Sequence, residues 1–293
     1  MKSITYFPGC THQTNGRNME SSGKAVLETL GYQLEEMPEW ICCGTVFGLS
    51  EDDLFHQLAP IRNLARVEKA GDEKLVTMCA MCYNTLGRAN LLVRKDEVAL
   101  EALNRFMDDE PDYHGRVDVV HLTQFLKDEV GLDKISSKVK RPLEGLKVMP
   151  YYGCLLLRPE EVSIDSMEDP TIICNILEAV GIKSIKGSHI SQCCGSYHTV
   201  DKKEAVARRS SEIISSARKK GADMIALACP LCEFNLDDRQ RLLSKNGMPV
   251  LYFTELLAIA FGLEDSCDFD EHYVDPRPLL REKGLLGGSN GQE

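Results

Sequence analysis

An excess of basic residues is missing from this chain. It carries 34 Lys and Arg against 45 Asp and Glu, a formal net charge of −11 at pH 7 over 293 residues. A partner that presents phosphates needs a basic patch, so nucleic-acid binding is excluded. The acidic balance is read as a solvated surface. Long apolar runs are also missing: nothing approaches the roughly 18 apolar residues of a membrane span. The opening Met1-Lys2-Ser3-Ile4-Thr5-Tyr6-Phe7-Pro8 is too short, and is broken too early by Pro8, for a signal peptide. The expectation is a soluble, cytoplasmic chain with no membrane span. Neither Gly-x-Gly-x-x-Gly nor a phosphate-cradling loop occurs, so no flavin or nucleotide site is expected on this chain. What remains is an ordinary apolar content of 43%, enough for buried cores, and a length suited to about two domains.

Cysteine, by contrast, is abundant and ordered. Ten of the twelve cysteines form two copies of one array. The first is Cys10, Cys42-Cys43-Gly44 and Cys79-Ala80-Met81-Cys82. The second is Cys154, Cys193-Cys194-Gly195 and Cys229-Pro230-Leu231-Cys232. The spacing from lone cysteine to pair is 32 positions in the first copy and 39 in the second. From pair to Cys-x-x-Cys it is 36 and 35. In a reducing compartment such usage points to metal or redox chemistry ahead of structural disulfides.

The elements around the arrays repeat as well. Ile4–Phe7 reads as a strand ending at Gly9-Cys10, followed by a helix with Met19, Gly23, Val26, Leu27 and Leu30 on one face. Tyr32–Met37 is a second strand, residues 51–70 a helix, and Leu75–Met78 a strand running into Cys79. Helix follows from Tyr83 to Met107, broken near Lys95-Asp96, then a strand at 117–120 and a helix at 123–130. Residues 131–146, rich in breakers and polar groups, read as a linker. The order then restarts with Val148–Tyr152 before Cys154. Asp169-Pro170 is placed as the start of a helix carrying Ile173, Ile176, Leu177 and Val180. Ser184–Lys186 is a short strand. Asp201 is placed as the cap of a helix whose buried stripe is Val206, Ser210, Ile213 and Ala217. Met224–Leu227 is the strand into Cys229, and 249–257 echoes 119–126. The expected architecture is α/β: two tandem pseudo-repeated domains, 1–142 and 143–263, each a mostly parallel sheet flanked by helices. The cysteines fall at strand carboxyl ends, where ligand sites of open α/β sheets collect. Residues 264–293 are expected to be an acidic surface arm and a flexible tail.

Three chemistries suit such thiols. A structural zinc takes four ligands, which leaves the fifth thiol of each array unused and makes the chain a scaffold without catalysis. A dithiol redox motif at Cys229-Pro230-Leu231-Cys232 leaves three further cysteines unexplained. An iron–sulfur cluster in each half takes thiolate ligands, with either a spare cysteine or an unusual geometry. The closely spaced run of ordinary ferredoxins is absent, so ligands converge only after folding.

The doubled pattern of Cys, Cys-Cys-Gly and Cys-x-x-Cys resembles the cysteine-rich CCG domain family, and within it the B subunit of heterodisulfide reductases. The resemblance spans residues 1–262. It includes Tyr6-Phe7-Pro8-Gly9-Cys10, Cys229-Pro230-Leu231-Cys232 and Tyr252-Phe253-Thr254-Glu255-Leu256-Leu257. It implies two noncubane [4Fe–4S] clusters. One would be held by Cys10, Cys42, Cys43, Cys79 and Cys82, the other by Cys154, Cys193, Cys194, Cys229 and Cys232. It also implies reduction of the heterodisulfide of coenzyme M and coenzyme B between them, a ferredoxin-like C subunit as electron donor, and a flavin-bearing A subunit behind it. Methanogen members carry a His directly after the first cysteine of the second array. Here that residue is Leu155, which has no proton to give. The expected function is therefore reduction of this or an analogous disulfide. The alternative is an electron-transfer subunit of another oxidoreductase complex.

His12, His198 and Arg158 are candidate helpers, the first two as proton donors and the third as an anion clamp. Their ordinary readings are histidines that back a ligand or sit at the surface, and a surface ion pair. Tyr151, Tyr152 and Tyr197 read as packing. Gly9, Gly44, Gly153 and Gly195 adjoin array cysteines in matching places, for close backbone approach or for turns. Cys174 reads as a core thiol, and Cys267 as a residue outside the arrays.

Overall fold

A computed structural model describes residues 1–45, 54–243 and 246–286. The first strand, β1 (Lys2–Phe7), is followed by β2 (Tyr32–Glu36), β3 (Lys74–Thr77) and β4 (Asp118–His121). The second half repeats this with β5 (Lys147–Tyr151), β6 (Lys183–Ser184), β7 (Met224–Leu227) and β8 (Val250–Tyr252). The sheets are ordered β2-β1-β3-β4 and β6-β5-β7-β8, and every pairing is parallel. Parallel neighbours need a crossover, which the helices between strands supply. A strand covered on both faces reads as an unbroken apolar run. Met224-Ile225-Ala226-Leu227 of β7 is such a run and is wholly buried, whereas β2 lies at an edge and stays half exposed.

The halves pack reciprocally. Helix Arg17–Thr29 of the first lies against helix Phe253–Phe261 of the second. Ser22 Oγ donates to Thr254 Oγ1 at 2.8 Å, and Asn18 Nδ2 donates to Glu255 Oε1 at 3.2 Å. In return, helix Leu122–Phe125 meets helix Ile172–Glu178.

Several expectations are met in detail. The long helix breaks at Asp96, between Ala80–Lys95 and Glu97–Phe106, and Asp96 Oδ1 caps the second piece through Ala99 N at 3.0 Å. Val206, Ser210, Ile213 and Ala217 are the buried stripe of helix Lys203–Lys219. Other expectations are corrected. Asp169 caps nothing; its carboxylate pairs with Lys186 on the surface. Asp165 takes the capping role, accepting from Thr171 N at 2.5 Å and Ile172 N at 2.6 Å. Asp201 lies beside His198 and makes no side-chain cap to its helix. The expected linker contains a helix, Leu132–Ser137, and is docked: Lys140 N and Arg141 N both donate to Ala260 O. The expected surface arm is part of the body. Residues 264–286 carry the helix Arg277–Glu282 and bury Cys267, His272, Leu280 and Leu285. The start expected for the helix at 51–53, and the Gly-rich tail from 287, fall outside the described residues.

Candidate metal centres

Each lone cysteine follows a central strand, Cys10 in the short helix Gly9–His12 after β1 and Cys154 in the turn after β5. Each Cys-x-x-Cys begins at the N-cap of a helix. Cys79 caps Ala80–Lys95 and Cys229 caps Pro230–Asp237, both with extended backbone. The second cysteine therefore falls in the first helical turn, and in the first half the Cys82 N–H of that turn helps to lower the Cys79 thiol. The Cys-Cys pair arrives from the loop beyond the edge strand. Cys43 Sγ reaches to 3.5 Å from Cys82 Sγ, and Cys194 Sγ to 3.4 Å from Cys232 Sγ. None of these cysteines is in a disulfide.

The arrays meet at one end and reach solvent at the other. The Cys79 and Cys229 thiols, one from each half, lie near enough for each to shift the protonation of the other, Cys79 downward and Cys229 upward. Cys10 and Cys42 are exposed and Cys154 and Cys193 half-buried, while Cys43, Cys79, Cys82, Cys194, Cys229 and Cys232 are buried.

Protonation is shared unevenly. The Cys43 thiol is held low by hydrogen bonds from Cys42 and Cys82, whose own thiols are raised by the same bonds. In the second half Cys193 falls to about 2 through hydrogen bonds from Cys154 and Cys194. Cys194 rises to about 11, chiefly through Cys193. Paired sulfurs this close cannot all ionise unless a cationic core neutralises them. Five array thiols per half, three of them buried, suit a polynuclear thiolate-bound centre and exceed what a single tetrahedral zinc uses.

Two of the four glycines face sulfur. At Gly9, φ is +70°, and a Cβ would lie 2.9 Å from Cys82 Sγ. At Gly153 the distance to Cys232 Sγ would be 3.4 Å. A Cβ at Gly44 or Gly195 would instead meet Ala59 or Val206, so these two serve turns.

The lone-cysteine turn of each half rests on the Cys-x-x-Cys helix of the other. Asn84 Nδ2, two residues past Cys82, donates to Leu155 O at 2.8 Å and Arg158 O at 2.7 Å. The short helix Gly9–His12 lies against Pro230–Asp237.

His12 is buried. Its Nδ1 points at Pro8 O and lies 3.1 Å from Tyr6 Oη, and its Nε2 has no hydrogen-bond partner. His198 is half exposed, 3.4 Å from Asp201. Arg158 Nη1 donates to Ser191 O at 2.8 Å, bracing the loop that leads to Cys193. Tyr151 and Tyr152 are buried as packing, and Tyr197 is exposed at the edge of the second array. Cys174 and Cys267 are buried with partners of their own: Tyr152 Oη and Pro170 O for the first, Glu255 O for the second.

Sequence reading missed Asn84, Asn235 and His121. Asn235 Nδ2 donates to Cys194 Sγ at 3.4 Å. His121 Nδ1 accepts from Thr123 N at 3.2 Å, so Nε2 carries the proton and donates to Met78 O at 2.8 Å, just before Cys79. Burial lowers the His121 pKa to about 4, so the ring is neutral. The echo of 119–126 in 249–257 marks His121 and Tyr252 as matched strand ends. Neither asparagine carries a signal in one sequence.

Comparison with known proteins recognises both halves of the chain. The family model described as a cysteine-rich domain, CCG, matches twice, at residues 4–87 and 148–237. The chain is 32% identical over 269 residues, 89% of its length and 93% of the relative's, to the 8-methylmenaquinol:fumarate reductase membrane anchor subunit of Wolinella succinogenes. It is 28% identical over 277 residues, 89% of its length and 90% of the relative's, to the B subunit of the ferredoxin/F(420)H(2)-dependent CoB-CoM heterodisulfide reductase of Methanosarcina acetivorans. A solved structure of a hypothetical protein from Helicobacter pylori shares the fold, with a TM-score of 0.75 at 14% identity. It covers 93% of this chain, which spans about half (52%) of that protein.

Proposed function

The chain belongs to the cysteine-rich CCG domain family, and from that membership we propose that it is the iron–sulfur subunit of a multi-subunit oxidoreductase, binding one cluster in each half and reducing a small disulfide. Cys10, Cys42, Cys43, Cys79 and Cys82 hold the first cluster. Cys154, Cys193, Cys194, Cys229 and Cys232 hold the second, and five ligands each favour the noncubane form. When bound, the clusters supply single electrons and a Lewis-acidic iron to a substrate sulfur.

The observation that carries the proposal is the packing of each half's lone-cysteine segment on the Cys-x-x-Cys helix of the other, which sets the two arrays side by side. Cleaving one S–S bond takes two electrons, and a one-electron centre held by each array would meet that need without a flavin on this chain. The protein's own part is to orient and to tune. Asn235 and Gly195 N direct hydrogen bonds at Cys194 and Cys193 sulfur. His12 donates Nδ1–H to Pro8 O, so its buried, unpartnered Nε2 presents a lone pair that can take up a proton and pass it on beside the first array. Electrons arrive from a ferredoxin-like C subunit, with a flavin-bearing A subunit behind it.

Leu155 and the relative from Wolinella succinogenes favour a second reading, an electron-transfer subunit serving a different acceptor. Among the described residues no helix is long and apolar enough to cross a membrane.

Anaerobic preparation should give about eight iron and eight sulfide per chain. Cys43→Ala and Cys194→Ala should each lose about half of that iron and abolish oxidation of a reduced viologen by disulfides. His12→Asn should keep the iron and slow turnover. Unchanged iron in both cysteine variants sinks the cluster assignment. Full iron content with no disulfide-dependent oxidation selects the second reading.

A further inference from the structure

Away from the arrays, a buried group of titratable side chains takes no part in the proposed reaction. Glu233 and Asp237 stand one turn apart on one face of helix Pro230–Asp237. Glu255 comes from helix Phe253–Phe261, and His272 from the C-terminal segment. The side chains of Asp237, Glu255 and His272 have no solvent exposure, and that of Glu233 is 6% exposed. Among the described residues, the ion pairs of these three carboxylates all run to the one imidazole.

His272 Nε2 lies 2.9 Å from Glu255 Oε1 and 3.2 Å from Asn18 Nδ2. In the neutral ring, the form that binds a metal, the Nε2–H···O bond to Glu255 leaves the lone pair on Nδ1. Nδ1 is buried and has no hydrogen-bond partner. It faces two anionic oxygens, Glu233 Oε1 at 3.6 Å and Asp237 Oδ2 at 3.7 Å. These separations are too long for hydrogen bonds. They are close to the edge of a tetrahedron, about 3.3–3.4 Å, around an ion with bonds of about 2.0–2.1 Å. The carboxylates are themselves held. Asp237 accepts from Tyr273 N at 2.7 Å and Val274 N at 3.1 Å, and Tyr252 Oη is 3.5 Å from Glu233 Oε2. A carboxylate behind a histidine whose other nitrogen faces further ligands is the usual outer arrangement of a zinc site.

We propose that His272 Nδ1, Glu233 and Asp237 bind a divalent cation of the zinc type, with Glu255 orienting the imidazole. Imidazole with carboxylates suits zinc, which does no redox chemistry of its own. The ion pins the C-terminal segment to the helix that starts at Cys229. Because Glu233 directly follows Cys232, it also fixes that helix beneath the second array. The site shares no residue with the arrays and stands whether or not they hold iron.

Metal analysis of the full chain, loaded with iron and equilibrated with zinc, should find about one zinc per chain. His272→Gln and Asp237→Asn should each lose the zinc and keep the iron. Glu255→Gln should weaken zinc binding by about 10–100-fold. Cobalt(II) bound in place of zinc should show no thiolate-to-metal charge-transfer bands, which separates this site from thiols left free by failed iron loading. An iron-loaded wild-type chain without zinc would mean a protonated imidazole clasped by carboxylates, and would overturn the proposal. So would full zinc retention in both variants, or thiolate bands from the only cobalt bound. If the variants do not fold, chelation of the wild-type chain decides: loss of zinc should lower the melting temperature at constant iron, and no shift overturns the proposal.

Discussion

Gly9 shows how much one side chain's absence decides. Its φ of +70° disfavours any L residue, and its missing Cβ leaves room for Cys82 Sγ. Gly71 has a similar φ, +87°, with nothing within 4 Å of the Cβ position. Alanine at either site carries the same backbone strain, of about 1–2 kcal/mol. Only Gly9→Ala also pushes on a sulfur. Gly9→Ala should therefore lose iron from the first array, while Gly71→Ala keeps it; equal iron contents in the two variants would refute the cradle. That glycines adjoin the cysteines is plain in the sequence. That Gly9 and Gly153 face sulfur while Gly44 and Gly195 serve turns depends on contacts with residues far along the chain.

Among the elements, strand and helix order was readable because hydrophobic period and breakers are local. Caps were less so. Asp169-Pro170 is a good local start signal, yet the helix begins at Ile172 and its N–H groups turn to Asp165. A loop that folds back on the helix end competes with the adjacent residue, and sequence distance does not reveal it. Asp165→Ala should cost about 0.5–2 kcal/mol in chemical denaturation. Asp169→Ala, which removes an exposed ion pair, should stay within about 1 kcal/mol. The reverse order of costs would show that the cap is misassigned.

For the whole molecule, the C-terminal segment is the main revision. Its acidic and then Gly-rich composition suggests a solvated arm, but Leu280 and Leu285 are buried, as are Cys267 and His272. Burying two leucines is worth about 3–6 kcal/mol as an upper bound, a large share of a domain's net stability. A chain ending at residue 263 should melt well below the full chain and lose cooperativity. An unchanged melting curve would return the segment to the status of an arm.

The sequence by itself determined the doubled array, the α/β order and the placing of cysteines at strand ends, because each rests on spacing within one element or at its boundary. The tertiary structure alone decided that the short helix Gly9–His12 lies on the helix after Cys229, that Asn84 braces the opposite half, and that His272 closes on Glu233 and Asp237. These contacts join residues dozens of positions apart or more, and tertiary packing, of the two halves on each other and of the C-terminal segment on the second half, brings them together where no local pattern encodes it.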